Sequence, residues 1–177
     1  MLGFVAVLMG LAWTFRTSLF PGLSVQWLVA PLALFLLGPR WAVAAVVGAA
    51  LFAAGVDSFP WSEAPMRALV FGIVPIAIAW GVLTLVERRL PAHLFVYLFV
   101  AVFAGTLLAV LGAGAVWRWL SASAAASSPD YWIALLILAD GEAVTTGFVV
   151  TGFALYRPEW LYTFDVERYL RRPGPAG

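Results

Sequence analysis

Two acids stand inside an apolar run long enough to cross a membrane. From Tyr131 to Tyr156 the chain is almost wholly apolar over 26 residues. As an α-helix that run would reach about 39 Å, more than the ~30 Å of a bilayer's hydrocarbon core. Tyr131 and Trp132 open it, and Tyr156 and Trp160 close it, where an interfacial aromatic belt would lie. Asp130 can cap the first turn, and Pro158 ends the helix just after Arg157. Asp140 and Glu142 interrupt the run. A carboxylate near the bilayer centre costs about 2.5–3.5 kcal/mol even on the lenient insertion scale. Each therefore has to be held, paired or used.

The rest of the chain is equally apolar. Of 177 residues 64% are hydrophobic and 11% charged, with mean hydropathy +0.99, against about 25% charged in a soluble domain. This is the composition of an integral membrane protein. Cysteine is absent, which removes disulfides and thiolate metal sites. No basic run suits nucleic acid, and none of the sequence patterns HExxH, CxxC, GxSxG or the Walker lysine motif occurs. The N-terminus lacks the basic region and cleavage site of a signal peptide. The chain is read as no enzyme.

Six apolar blocks predict an all-α, polytopic membrane bundle of about six transmembrane helices. The first, Met1 to about Phe15, is short for a span, so either the membrane thins there or the natural start lies upstream. The second runs from about Val25 to Leu37 and is interrupted by Pro31. Gly38-Pro39-Arg40 separates it from the third, Trp41 to about Val56. The fourth, about Ala68 to Val86, should kink at Pro75. The fifth runs from about His93 to Trp119, and the sixth is the opening stretch. Residues 1–158 form the membrane domain. Residues 159–177 form an amphipathic tail, expected to lie on the membrane surface or dock on a partner. With six spans, Arg40, Arg88, Arg89, Arg157, Arg168, Arg171 and Arg172 fall on one side and Arg16, Arg67 and Arg118 on the other. The positive-inside rule then places both termini in the cytoplasm.

Asp140 and Glu142 are two residues apart, about 200° around a helix. They share a pocket only if Gly141 unwinds. Glu142 shares a face with Thr145 and Thr146, and Asp140 with Gly147 and Thr151. As a pair they predict a cation or proton site, or a polar hinge. The plainer alternative is carboxylates held by an arginine or by a neighbouring helix's backbone. Asp57 and Glu63, with Trp61 between them, would line a substrate entrance or simply be solvated. Gln26 and Ser24 would offer oxygen ligands or cap a helix. Ala6 and Gly10 sit four apart and allow close helix approach, within the bundle or toward a partner. Arg88, Arg89 and Trp160 are further candidates for partner contact. His93, the single histidine, is read as an interfacial hydrogen-bonding group.

Over roughly Leu85 to Leu170 the chain resembles a family of small bacterial membrane proteins. The resemblance rests on Glu87-Arg88-Arg89-Leu90-Pro91, the segment around Glu142, and Tyr156-Arg157-Pro158-Glu159-Trp160. Gln26 to Pro39 agrees more loosely. The family is the energy-coupling factor ABC transporter permeases, distantly similar to CbiM-type cobalt and nickel components. The resemblance implies a six-helix S-type component of the bacterial inner membrane that captures substrate from outside. Its substrate would be a transition metal ion or related small solute. A separate coupling transmembrane protein and ATPase subunits would drive release. In CbiM-type proteins a Met-His start ligates the metal, whereas here Leu2 follows Met1 and no histidine precedes His93. A substrate site would then be built from Asp140, Glu142, Asp57, Glu63 and Gln26, with Asp140 and Glu142 on the metal. The alternative is a non-transporting membrane scaffold or assembly subunit.

Overall fold

Small residues let the first helices meet closely. A computed structural model describes residues 2–15, 17–20, 23–56, 59–120 and 130–170. Helix α1 (Leu2–Thr14) leads through a two-stranded antiparallel hairpin, β1 (Thr17–Phe20) and β2 (Leu23–Val25), to α2 (Ala30–Gly55). Next come α3 (Trp61–Arg89), α4 (Val96–Leu120) and α5 (Asp130–Tyr156). A 3-10 turn (Pro158–Trp160) and the short α6 (Val166–Leu170) end the described chain. Among the described residues α2, α3, α4 and α5 are long and apolar enough to cross a membrane, and α1 is a shorter apolar helix. The molecule is an all-α, multi-pass membrane bundle with one small hairpin.

The expected second helix is redrawn. Residues 26–29 are not helical, and α2 begins only at Ala30. No loop separates the second and third blocks: their helices meet at the single residue Gly38 (φ 79°, ψ 168°). A Cβ built on Gly10 would lie 2.7 Å from Phe52, and one on Gly48 would lie 3.3 Å from Ala6, so residues 39–55 run parallel to α1. Trp13 Nε1, at the far end of α1, donates to the Leu28 carbonyl at 3.1 Å. The chain thus descends through residues 30–37 and turns at Gly38 to rise beside α1. Eight helical residues reach only about 12 Å, so the first arm is a half-span.

Pro39 explains what covers the break. It has no N–H to give the Phe35 carbonyl. Thr163 gives that carbonyl both its backbone N–H, at 3.4 Å, and its hydroxyl, at 3.3 Å. The Thr163 hydroxyl also meets the Tyr97 hydroxyl at 2.8 Å. Leu161, Phe164 and Tyr169 are buried around this point with Phe35, Leu83, Tyr97 and Ala154. The described part of the tail therefore packs Leu161, Phe164 and Tyr169 on its own bundle. These three side chains find cover on the end that Gly38 opens, while Trp160, Tyr162 and Val166 stay exposed.

Two helices are locally wide. Leu69–Ile73 winds as a π-turn just ahead of Pro75, which cannot donate to an α-helical acceptor, and Gly72 there lies against Val46. Val96–Ala104 is also π-wound. Helices α4 and α5 run antiparallel, fixed by Gly114 against Leu135 and Phe103 near Gly147. The Tyr131 hydroxyl closes that pair at one end, donating to the Gly114 carbonyl at 2.7 Å.

Candidate substrate site

Residues 26–29 run through the interior as non-helical chain, where each backbone N–H must find a partner inside the protein. Glu142 provides it for two of them. Its Oε1 accepts the N–H of Leu28 at 2.6 Å and of Val29 at 2.7 Å. The carboxyl group thus sits at the N-terminus of the 30–37 arm, where the first N–H groups of a helix lack intrahelical partners. Val29 takes a left-handed conformation (φ 58°), uncommon for a β-branched residue. The hydrogen bonds on either side hold it there. Helix α5 carries Glu142 inward with Tyr131, Ala139, Ala143 and Thr146, all buried on the same side.

The other half of the carboxylate is unused. Glu142 is 2% exposed, and its Oε2 has no hydrogen-bond partner among the described residues. The same holds for the amide nitrogen of buried Gln26, two residues before Leu28, and for the hydroxyl of buried Thr106 on α4. The α4–α5 register places Thr106 level with residues 142–144. Three buried polar groups with spare bonding capacity thus lie in this part of the chain's interior. In so apolar an interior each is costly to leave unmet.

The two membrane acids are not brought together. Helix α5 is regular from Asp130 to Tyr156, so Gly141 does not unwind, and its Cα side faces the Trp27 ring instead. Asp140 points out of the bundle and is exposed, while Glu142 is buried. A metal site shared by Asp140 and Glu142 is therefore not built. Among the described residues no group of three or more His, Asp or Glu side chains is placed to hold a metal.

The remaining candidates scatter. Asp57 lies outside the described residues. Glu63 is held by Arg67 at 2.9 Å in an exposed pair at the start of α3. Glu142 lies twelve residues along α5, about 18 Å deeper. Ala6 and Gly10 face Gly48 and Phe52 of α2, so this pair packs within the bundle. Arg88 and Arg89 are exposed at the end of α3, and Trp160 is half-exposed against Phe153. His93 is exposed and caps the start of its helix, its Nδ1 accepting the Phe95 N–H at 3.2 Å. Trp13 and Thr106 escaped the sequence reading. Their one signal is a lone polar group in an otherwise apolar run.

Comparison with known families gives a match to the CbiM model, described as a cobalt uptake substrate-specific transmembrane region, over residues 1–160. No curated protein and no solved structure matches the chain. The family match covers the bundle, the interrupted α2, Glu142 and the first turn of the tail. The chain therefore belongs to the CbiM family of cobalt-uptake transmembrane proteins.

Proposed function

We propose that this chain is the substrate-binding membrane component of an energy-coupling-factor-type ABC transporter that takes up a divalent transition-metal cation. The observation carrying this reading is the interrupted element at mid-membrane: non-helical residues 26–29, a half-helix, and Glu142 at its N-terminus. Transporters bind substrates where helices are broken near the midplane, because irregular backbone survives there only beside protein or a cavity. Glu142 gives the site a buried carboxyl group. Its free Oε2, the Thr106 hydroxyl and the Gln26 amide, which presents oxygen when flipped, supply neutral or anionic donors. Such oxygen-rich donors hold a partly hydrated cation without trapping it.

Membership of a cobalt-uptake family supports cobalt as the cargo. The hairpin end would face the outside of a bacterial inner membrane. Arg40, Arg88, Arg89, Arg157 and Arg168 gather at the other end, which makes it cytoplasmic by the positive-inside rule. Both termini then lie in the cytoplasm. Energy would come from ATPase subunits and a coupling transmembrane protein in other chains, approached through exposed Arg88 and Arg89 and half-exposed Trp160.

The test is cellular metal accumulation with those partners co-expressed. The unmodified chain raises cobalt, whereas Glu142→Gln, which keeps an oxygen for the Leu28 and Val29 N–H groups, reaches the membrane in equal amount without doing so. Equal accumulation by both would overturn the reading. Glu142 would then be a backbone clamp and the chain a scaffold.

A further inference from the structure

Helix α5 turns an apolar stripe outward. Ile133, Leu136, Ile137, Val144 and Phe148 are exposed at helical spacing, and exposed Asp140 stands in the middle of them. Asp140 lies ten residues past Asp130, about 15 Å along the helix, so its carboxylate leaves the bundle where the surroundings are hydrocarbon. A side chain with one methylene cannot snorkel to either interface, as lysine and arginine do. Asp140 forms no hydrogen bond or ion pair with the described residues. The described arginines in spans α2 to α5 and beside them (Arg40, Arg67, Arg88, Arg89, Arg118 and Arg157) sit near helix ends or at the Gly38 turn. A second copy would bring another carboxylate to this depth, not a cation.

We propose that the Asp140 stripe of α5 docks a transmembrane helix of another protein, one carrying an arginine or lysine at mid-span. Charge complementarity identifies the occupant: an unpaired anion in an apolar, water-free surface is met by a buried cation. Ile133, Ile137 and Val144 give the flanking apolar contact. The inference does not depend on the metal reading, since Asp140 and Glu142 face opposite ways.

The full chain, reconstituted in lipid nanodiscs, would be titrated with fluorescent synthetic transmembrane peptides, binding being read by energy transfer. One peptide is polyleucine with a single mid-span arginine, and the other is polyleucine alone. The arginine peptide should bind about tenfold more tightly, and Asp140→Leu should abolish that preference. Asp140→Leu stays on an exposed apolar face, so its fold is retained. No preference for arginine, or a preference that survives Asp140→Leu, overturns the proposal. So does wild-type self-association that Asp140→Leu removes, because the occupant would then be a second copy.

Discussion

The Glu142 carboxylate accepts the Leu28 N–H at 2.6 Å, joining residues 114 positions apart at the middle of the membrane. This bond, and its partner to Val29, make it possible for the chain to pass through the bundle without helical hydrogen bonds. Glu142→Leu leaves two N–H groups unmet and should lower stability by about 2–5 kcal/mol. Glu142→Gln retains an acceptor and should cost only about 1 kcal/mol. Chemical unfolding in detergent micelles, followed by tryptophan fluorescence, separates the two.

Gly38 carries the reversal of α2. Its φ of 79° with ψ of 168° belongs to a region essentially reserved for glycine, and a Cβ there would lie 2.5 Å from the Tyr162 ring. Gly38→Ala should cost about 2–4 kcal/mol in strain and collision. Adding Tyr162→Ala should recover only the collision. Membrane abundance and thermal unfolding of the single and double variants measure both parts.

The tail latch should respond oppositely to two conservative changes. Thr163→Val removes the hydroxyl from the Phe35 carbonyl and from Tyr97, costing about 1 kcal/mol. Tyr169→Phe removes a buried hydroxyl that has no partner among the described residues, and should be neutral or slightly stabilising. Hydrogen exchange over residues 161–169 should speed up in the first variant and not in the second.

Glycines on the two faces of the bundle should differ sharply. Gly10→Val drives a side chain into Phe52 and should separate α1 from α2, costing about 1–3 kcal/mol. Alanine at Gly81 or Gly152 meets nothing within 4 Å and should be tolerated. Membrane abundance of the three variants checks this.

The sequence was most informative where composition controls the outcome. The apolar run from Tyr131 to Tyr156 is α5 almost to the residue, and Pro158 stands just past its end. The division at Gly38-Pro39 was legible too, since proline removes a donor and glycine admits a positive φ. Hydropathy could not tell that this division is a reversal without a loop, because it reports burial and not chain direction. It also made residues 25–29 look helical, when the Leu28 and Val29 N–H groups are met by a carboxylate more than a hundred positions away. Helix phase did separate Asp140 from Glu142 by about 200°, and a shared site required an unwinding at Gly141 that α5 does not make.

Direct metal retention by the purified chain tests the central claim most sharply. Equilibrium dialysis of nanodisc-embedded protein against radioactive cobalt, for the unmodified chain and for Glu142→Gln, compares proteins that share one fold and differ by one carboxyl group. The account predicts saturable cobalt binding that falls at least about tenfold in Glu142→Gln, the loss of a single ionic contact in a dry interior. Equal cobalt retention by both proteins would contradict it.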